Sequence, residues 1–222
     1  MKSLIFSTPM VKAILAGHKT MTRRVVKPQP VLTRFGRWHW MDARSLISSY
    51  TLAEEMQSAV SRPYKPGDVL WVRETWCEYA QEHIVDGQRF AYKATANEDC
   101  HNEYIKHGYP YKWRPSIYMP REDARIFLKV TDVRAERLRE ISEDDAMKEG
   151  FQSTATEFGG CAVYANKYEK ALDIECPDGC NCLNSRENFA GLWDASYAKK
   201  PEFQWDKSPY VWVIAFERTE KP

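Results

Sequence analysis

The sequence predicts an α+β fold, a small mixed β-barrel with flanking helices. Short apolar and β-branched segments outnumber helical ones, and they do not alternate with helices as in a parallel α/β protein. The chain has 222 residues, of which 43% are hydrophobic and eight are Trp. A chain of this length buries a sizeable core without disulfides. We therefore expect one large domain.

The N-terminal elements are a strand, a short helix and a second strand. Ser3–Phe6 predicts the first strand, and Thr8-Pro9 is typical of an N-cap followed by the first helical residue. The helix is predicted over 9–16, and Gly17 just after it is a common helix end. Thr22–Val26 predicts an extended segment.

Strand signals dominate the middle of the chain. Lys65-Pro66-Gly67-Asp68 is typical of a type II turn, and it leads into a predicted strand over Val69–Glu74. His83–Ala94 predicts a hairpin with Asp86-Gly87 as its turn. Ala124–Val130 predicts a further strand.

Two helices and a strand complete the pattern. Ser142 is typical of a helix cap, acidic residues fill the first turn after it, and Gly150 marks the end of that helix. Arg186–Tyr197 predicts a second helix, whose apolar face includes Leu192. Tyr210–Phe216 predicts a buried strand.

The charges are unevenly distributed although the formal net charge is only +1. Residues 1–41 hold eight Lys or Arg and no acid, whereas the other 181 residues hold 24 basic and 31 acidic side chains. This asymmetry favours an anionic ligand at the N-terminal part. So little net charge attracts long nucleic acids only weakly. The oligomeric state stays open.

The composition excludes several classes of protein. Aromatic residues make up 13% of the chain, too many for a disordered protein. The longest apolar run, Tyr210–Phe216, is far shorter than the roughly 20 residues of a membrane-spanning helix. The first 12 residues lack the cleavage site of a secretory leader. We therefore expect a cytoplasmic protein with reduced thiols and no membrane partner.

The segment Gly17–Arg24 carries the clearest chemical pattern. It presents a lysine, a threonine three residues later, and then two arginines, Arg23 and Arg24. A lysine becomes a base or a nucleophile when burial or a neighbouring cation lowers its pKa. The alternative is that Lys19 is an ordinary exposed loop residue.

The pattern Gly17-x-Lys19-x-x-Thr22-x-Arg24 resembles the signature of the ASCH (activating signal cointegrator homology) domain, a relative of the PUA RNA-binding fold. Four further blocks resemble the longer bacterial and prophage ASCH proteins, in the same order along the chain: Lys65–Trp76, Trp113–Arg121, Ala124–Gly150 and Phe189–Phe216. We therefore interpret residues 1–222 as a single ASCH domain with insertions at about 31–60 and 151–184.

This resemblance implies a PUA-like small mixed β-barrel whose cleft accepts a nucleobase, a nucleoside or RNA. Some small bacterial members with a similar motif are amidohydrolases that remove the acetyl group from N4-acetylcytidine. Their catalytic set is a Lys and a Thr from the signature and a Glu from a later helix, which correspond here to Lys19, Thr22 and Glu149. Another member is a ribonuclease, so the chemistry varies within the fold.

On this basis we expect an amidohydrolase acting on N4-acetylcytidine or a related modified nucleoside, without a metal or an organic cofactor. With the small net charge, the resemblance favours a modified nucleoside or a short single-stranded RNA as the partner. Lys19 would work with Thr22 at the amide carbonyl, and Glu149 would carry the proton to the leaving amine. The expected substrate-binding residues are Arg23, Arg24, Trp71, Arg73, Glu74 and Arg121. The pair Arg73-Glu74 either lines the cleft or forms an ion pair at its rim. A non-catalytic RNA-binding module and an endoribonuclease are the alternatives.

Basic and aromatic residues alternate in two predicted loops, Arg34–Trp40 and Lys106–Tyr118. Cations that follow phosphates and flat rings that stack on bases are typical of single-stranded nucleic-acid binding. The same aromatic residues would equally fill the ends of a barrel. Composition alone leaves both interpretations open.

A cysteine cluster lies late in the chain, at Cys176, Cys180 and Cys182. A structural zinc site usually combines two closely spaced cysteine pairs, and a second such pair is missing. Cys100-His101 is the other source of ligands. Reduced thiols in a loop are favoured over zinc, and the zinc question stays open.

Overall fold

The computed structural model of the chain describes residues 1–32, 38–42, 45–49, 62–78, 89–96, 112–151 and 184–222. For residues 32, 38–42 and 45–49 it describes the backbone alone. In chain order the α-helices and strands are β1 (Lys2–Ile5), α1 (Thr8–Leu15), β2 (Met21–Val25), β3 (Val31–Leu32), β4 (Trp38–Asp42), β5 (Ser45–Ser49), β6 (Val69–Arg73), β7 (Trp76–Glu78), β8 (Phe90–Tyr92), β9 (Phe127–Arg137), α2 (Glu143–Lys148), α3 (Ser185–Ser196) and β10 (Tyr210–Thr219).

The chain divides into two compact units. The first comprises Met1–Gly17, Pro66–Thr131 and Phe216–Pro222, and the second comprises His18–Lys65 and Asp132–Ala215. Each unit contains its own cluster of buried apolar side chains. The single ASCH domain over residues 1–222 stays a prediction.

In the first unit the strand order is β1-β6-β9. β1 runs parallel to β6 with Lys2 opposite Leu70, and β6 runs antiparallel to β9 with Val69 opposite Lys129. Gly67 has φ 90° and donates its N–H to Val130 O at 2.8 Å, so the predicted turn before β6 is formed by a glycine in the left-handed region.

Aromatic side chains make up most of the buried core of the first unit. The buried cluster contains Trp71, Trp76, Met119, Ala124 and Phe127. β7 and β8 pair antiparallel, with Trp76 opposite Tyr92. β8 lies within the predicted hairpin over His83–Ala94, but its partner β7 lies before that range. The predicted turn of this hairpin, Asp86-Gly87, lies outside the described residues.

Helix α1 begins one residue earlier than predicted. Ser7 is its N-cap, so the assignment of Thr8 as the cap was wrong. Pro9 still lies in the first turn, where the missing proline N–H removes no hydrogen bond of the helix. Gly17 has φ 80° and ends the helix as predicted.

The second unit packs helices against the pair of strands β2 and β10. These strands are antiparallel, with Thr22 opposite Ile214 and Arg24 opposite Trp212. Phe189 and Trp193 of α3 pack with apolar residues of both strands in one buried cluster. Leu192 is 41% exposed, so its predicted place on the apolar face was wrong.

Helix α2 follows the capping pattern read from the sequence. Ser142 Oγ accepts a hydrogen bond from Asp145 N at 3.1 Å, and Gly150 has φ 93°. The carboxylate of Glu143 also accepts the N–H groups of Ser185 and Arg186 at the start of α3. The two helices are therefore joined at their N-terminal ends.

Residues 38–40 were predicted as part of the basic, aromatic loop Arg34–Trp40, and this was wrong, because they belong to β4, which pairs with β5. The described residues give a mixed α/β fold with few helices and a mostly open sheet. Closure into a PUA-like barrel stays a prediction.

Within the described segments, no helix combines the length and the apolar character needed to cross a membrane.

Candidate functional site

The backbone brings the start of β2 to the end of α2. Lys19 and Glu149 form an isolated antiparallel bridge, and Thr20 N donates to Lys148 O at 2.9 Å. Glu149 is the C-terminal cap of α2. Residues 18–24 of the signature segment and helix α2 therefore meet within one unit.

Lys19 is a buried lysine, with only 1% of its surface exposed. Its Nζ donates to Glu149 Oε2 at 2.6 Å and to the backbone carbonyl of Glu149 at 2.8 Å. Burial lowers the pKa of Lys19, and the carboxylate of Glu149 opposes that change. The charges of Arg24 and Arg23 lower this pKa further. Lys19 is therefore not an exposed loop residue but one partner of a buried ion pair with Glu149.

Arg23 holds the second oxygen of the same carboxylate. Its Nη1 donates to Glu149 Oε1 at 3.3 Å. Its Nη2 contacts Glu136 Oε1 at 2.6 Å and Asp145 Oδ2 at 2.8 Å. The side chain of Arg23 has no exposed surface, so its charge is balanced by buried or nearly buried carboxylates.

Arg134 adds an outer cation to the same group. It donates to Asp145 Oδ2, and its Nε contacts Glu136 Oε2 at 3.3 Å. Its side chain is 35% exposed, whereas those of Lys19 and Arg23 are fully enclosed. We call the following six residues the charge network: Lys19, Arg23, Arg134, Glu136, Asp145 and Glu149. Along its contacts, from the partly exposed Arg134 to the buried Lys19, the three cations alternate with the three carboxylates.

Thr22 and Arg24 lie on the opposite face of β2 from Arg23, because side chains alternate along a strand. Thr22 is buried. Arg24 Nη1 donates to the carbonyl of Arg23 at 3.1 Å. The structure therefore brings together Lys19 and Glu149, and the parts assigned to Thr22 and Arg24 stay predictions.

The remaining predicted residues, Trp71, Arg73, Glu74 and Arg121, belong to the first unit. The guanidinium of Arg73 lies over the ring of Trp71 at 4.8 Å. Glu74 is buried and forms an ion pair with Arg125, whose Nε and Nη2 lie 2.8 and 2.9 Å from its two carboxylate oxygens. Arg121 is exposed. Their role in substrate binding stays a prediction.

Sequence reasoning missed Asp145, Glu136, Arg134 and Arg125. Asp145 had a usable signal, because it precedes Glu149 by one helical turn and both acids share a helix face. Arg134 and Glu136 likewise share a face of a strand by their two-residue spacing. Nothing local indicates Arg125, which is 51 residues from its partner Glu74.

The arrangement is equipped for proton transfer. A buried lysine with a lowered pKa and a carboxylate joined to it by a 2.6 Å hydrogen bond can exchange one proton. In the part of the chain that the structure describes, no three His, Cys, Asp or Glu side chains are arranged to hold a metal ion. The cysteines of the possible zinc cluster, Cys176, Cys180 and Cys182, lie outside that part, as does Cys100-His101.

Comparisons with known proteins add little to this description. No protein-family model matches the chain, and no curated protein matches its sequence. Among solved structures, the chain is similar to a crystal structure of an Enterococcus faecalis V583 protein described by the family model DUF984. The identity is 11% and the TM-score 0.38, over 99% of this chain and 82% of that chain. A similarity this low does not support an argument about fold or function.

Proposed function

We propose that the chain is a cytoplasmic ASCH-domain protein with a PUA-like fold and that it hydrolyses the amide bond of N4-acetylcytidine or a related modified nucleoside. The observation that carries the proposal is the buried hydrogen bond between Lys19 and Glu149. These are two of the three residues that the resemblance assigns to catalysis, and they come from two separate blocks of the sequence. Their meeting supports the assignment, because 130 residues separate them.

The proposed reaction consumes one water and yields cytidine and acetic acid, which releases a proton to the solvent and becomes acetate. Lys19 in its neutral form takes a proton from the water that attacks the acyl carbonyl, and Thr22 assists at that carbonyl. The proton passes along the 2.6 Å hydrogen bond to Glu149. Glu149 then delivers it to N4 as the C–N bond breaks, so the amine leaves neutral. Arg24 supplies a positive charge for the developing oxyanion.

The energetic requirement of this mechanism is a lysine that is neutral near physiological pH. An ordinary lysine is almost fully protonated there. Burial lowers the pKa of Lys19, and the charges of Arg23 and Arg24 act in the same direction. Removal from water is therefore the main source of the base that the reaction needs.

The test is to incubate the protein with N4-acetylcytidine and to quantify released cytidine by liquid chromatography. Wild type is expected to release cytidine, and Lys19→Ala is expected to lose this activity. Lys148→Ala is the matched control, because Lys148 is an exposed lysine on α2 that pairs with Asp144 and not with Glu149. If Lys19→Ala still deacetylates N4-acetylcytidine, the mechanism is contradicted, although the substrate is correct.

A non-catalytic RNA-binding module is the second candidate, and one surface favours it. Tyr118 is 68% exposed and Ile117 is 52% exposed. Arg114 and Arg121, on either side of them in sequence, are also exposed. Flat rings and cations together bind single-stranded RNA. RNA binding that weakens steeply with salt, without turnover, would favour this candidate, and cleaved RNA strands would favour an endoribonuclease.

A further inference from the structure

Arg23 has the largest fully buried side chain among the described residues. A guanidinium carries five N–H donors in a rigid fork, and five contacts surround this one. Nε and Nη2 reach Glu136 Oε1 at 3.0 and 2.6 Å, and Nη2 also reaches Asp145 Oδ2 at 2.8 Å. Nη1 reaches Glu149 Oε1 at 3.3 Å and Met21 Sδ at 3.6 Å.

This full set of contacts determines how Arg23 can act. Its donors are occupied and its side chain has no exposed surface, so it influences a reaction only through the groups that it holds. The guanidinium also lies over the ring of Phe189 at 5.9 Å. A charged side chain so enclosed is held in a single place by its neighbours.

Each oxygen of the Glu149 carboxylate has its own cation. Oε2 accepts from Lys19 at 2.6 Å, and Oε1 accepts from Arg23 at 3.3 Å. Glu136 on β9 and Asp145 on α2 in turn hold the guanidinium from two separate elements. If the carboxylate of Glu149 rotated away from Lys19, it would therefore also lose its contact with the guanidinium of Arg23, which is held in place and cannot follow it.

We infer that Arg23 is a positioning residue that fixes the carboxylate of Glu149 on Lys19 and does not itself touch the substrate. This inference rests on the proposed function for its catalytic meaning. The geometry on which it depends holds whatever the substrate is.

The test compares Arg23→Lys, Arg23→Gln and the control Arg89→Lys, each checked for folding by circular dichroism. Arg23→Lys keeps the charge but offers only three donors, so kcat is expected to fall about tenfold with KM nearly unchanged. Because the charge and the hydrogen bond of Glu149 raise the pKa of Lys19, a looser Glu149 in Arg23→Lys is expected to move the midpoint of the rate–pH profile to lower pH. Arg23→Gln removes the charge as well and is expected to lower kcat further. Arg89→Lys changes an exposed arginine that pairs with Glu78, so it is expected to retain both values.

A wild-type kcat and pH profile in folded Arg23→Gln would overturn the inference. A rise in KM alone would overturn it too, in favour of substrate binding. If neither Arg23 variant folds, Asp145→Asn provides the second test, because it loosens one anchor of Arg23 and is expected to lower kcat in the same direction.

A second readout separates this inference from the proposed function. The pKa of Lys19 can be measured through the NMR shift of its ε-carbon without any substrate. If wild type hydrolyses no acylated cytidine, the proposed function fails, while a lower Lys19 pKa in Arg23→Lys, which keeps the charge, still supports the positioning role. An unchanged Lys19 pKa in Arg23→Lys would overturn it.

Discussion

Asp145 and Glu149 stand four residues apart, and one guanidinium, that of Arg23, bonds to both carboxylates. Like charges at this spacing repel each other on a helix. Arg23 offsets that repulsion, and Lys19 adds a second cation at Glu149. The end of α2 therefore tolerates two close acids, because Arg23 on β2 and Lys19 just before β2 supply the counter-charges.

Lys19→Met and Glu149→Gln are expected to be coupled in stability. Removing either partner leaves a buried polar group with poorer compensation, at a cost of about 1–3 kcal/mol in the free energy of unfolding. The double variant leaves no buried charge at this pair, so its loss should be smaller than the sum of the single losses. Urea unfolding of the four proteins measures this coupling, and simple additivity would contradict it.

The stability of the protein is expected to rise in alkaline solution because of Lys19. Its pKa is lowered in the folded state from the usual 10.5. Between the folded and unfolded values the unfolded chain binds more protons, so unfolding becomes less favourable as pH rises through that window. Urea unfolding from pH 7 to 10 should show the difference between wild type and Lys19→Met growing with pH. A constant difference would contradict a lowered pKa.

Arg125→Ala is expected to destabilise the first unit by about 2–4 kcal/mol, because it leaves the buried carboxylate of Glu74 without its two-point partner. Denaturant unfolding measures the effect. The control is Arg89→Ala, which removes an ion pair with Glu78 in which Arg89 is 64% exposed. Exposed pairs contribute little, so equal losses in the two variants would contradict the prediction.

Ser142→Ala is expected to cost about 1 kcal/mol of stability, because the Oγ of Ser142 accepts the Asp145 N–H at the start of α2. Ser142→Asp restores an acceptor and should recover most of the loss. Thermal unfolding of both variants provides the measurement. The rate per folded molecule should not change in either variant, since Ser142 lies at the opposite end of α2 from Glu149.

Local chemistry accounts for much of what the sequence predicted. The cap at Ser142 and the helix ends at Gly17 and Gly150 depend on neighbouring residues alone, and the structure contains all three. The pairing of Lys19 with Glu149 was reached through the family resemblance, because no local rule joins residues 130 apart.

The partners of buried charges were the part that the sequence did not reveal. Strand alternation places Arg23 on one face of β2 but does not say what covers that face. That cover comes from β9 and α2, more than 110 residues away. Similarly, Glu74 was paired with its neighbour Arg73 in the prediction, whereas Arg125 binds it in the structure. Such partners depend on tertiary packing, which composition and periodicity do not encode.

The junction between α2 and α3 has a consequence for protein engineering. Glu143 binds the first N–H groups of α3, and the ring of Phe151 meets that of Phe189 at 5.6 Å. Residues 151 and 184 are therefore anchored close to one another by groups that belong to the second unit. The entropy cost of closing a loop grows only slowly with the length of the loop. The connection between residues 151 and 184 is therefore a suitable place to insert or exchange a segment. A short Gly/Ser connector, a tag or a reporter inserted here should leave Lys19 and Glu149 in contact.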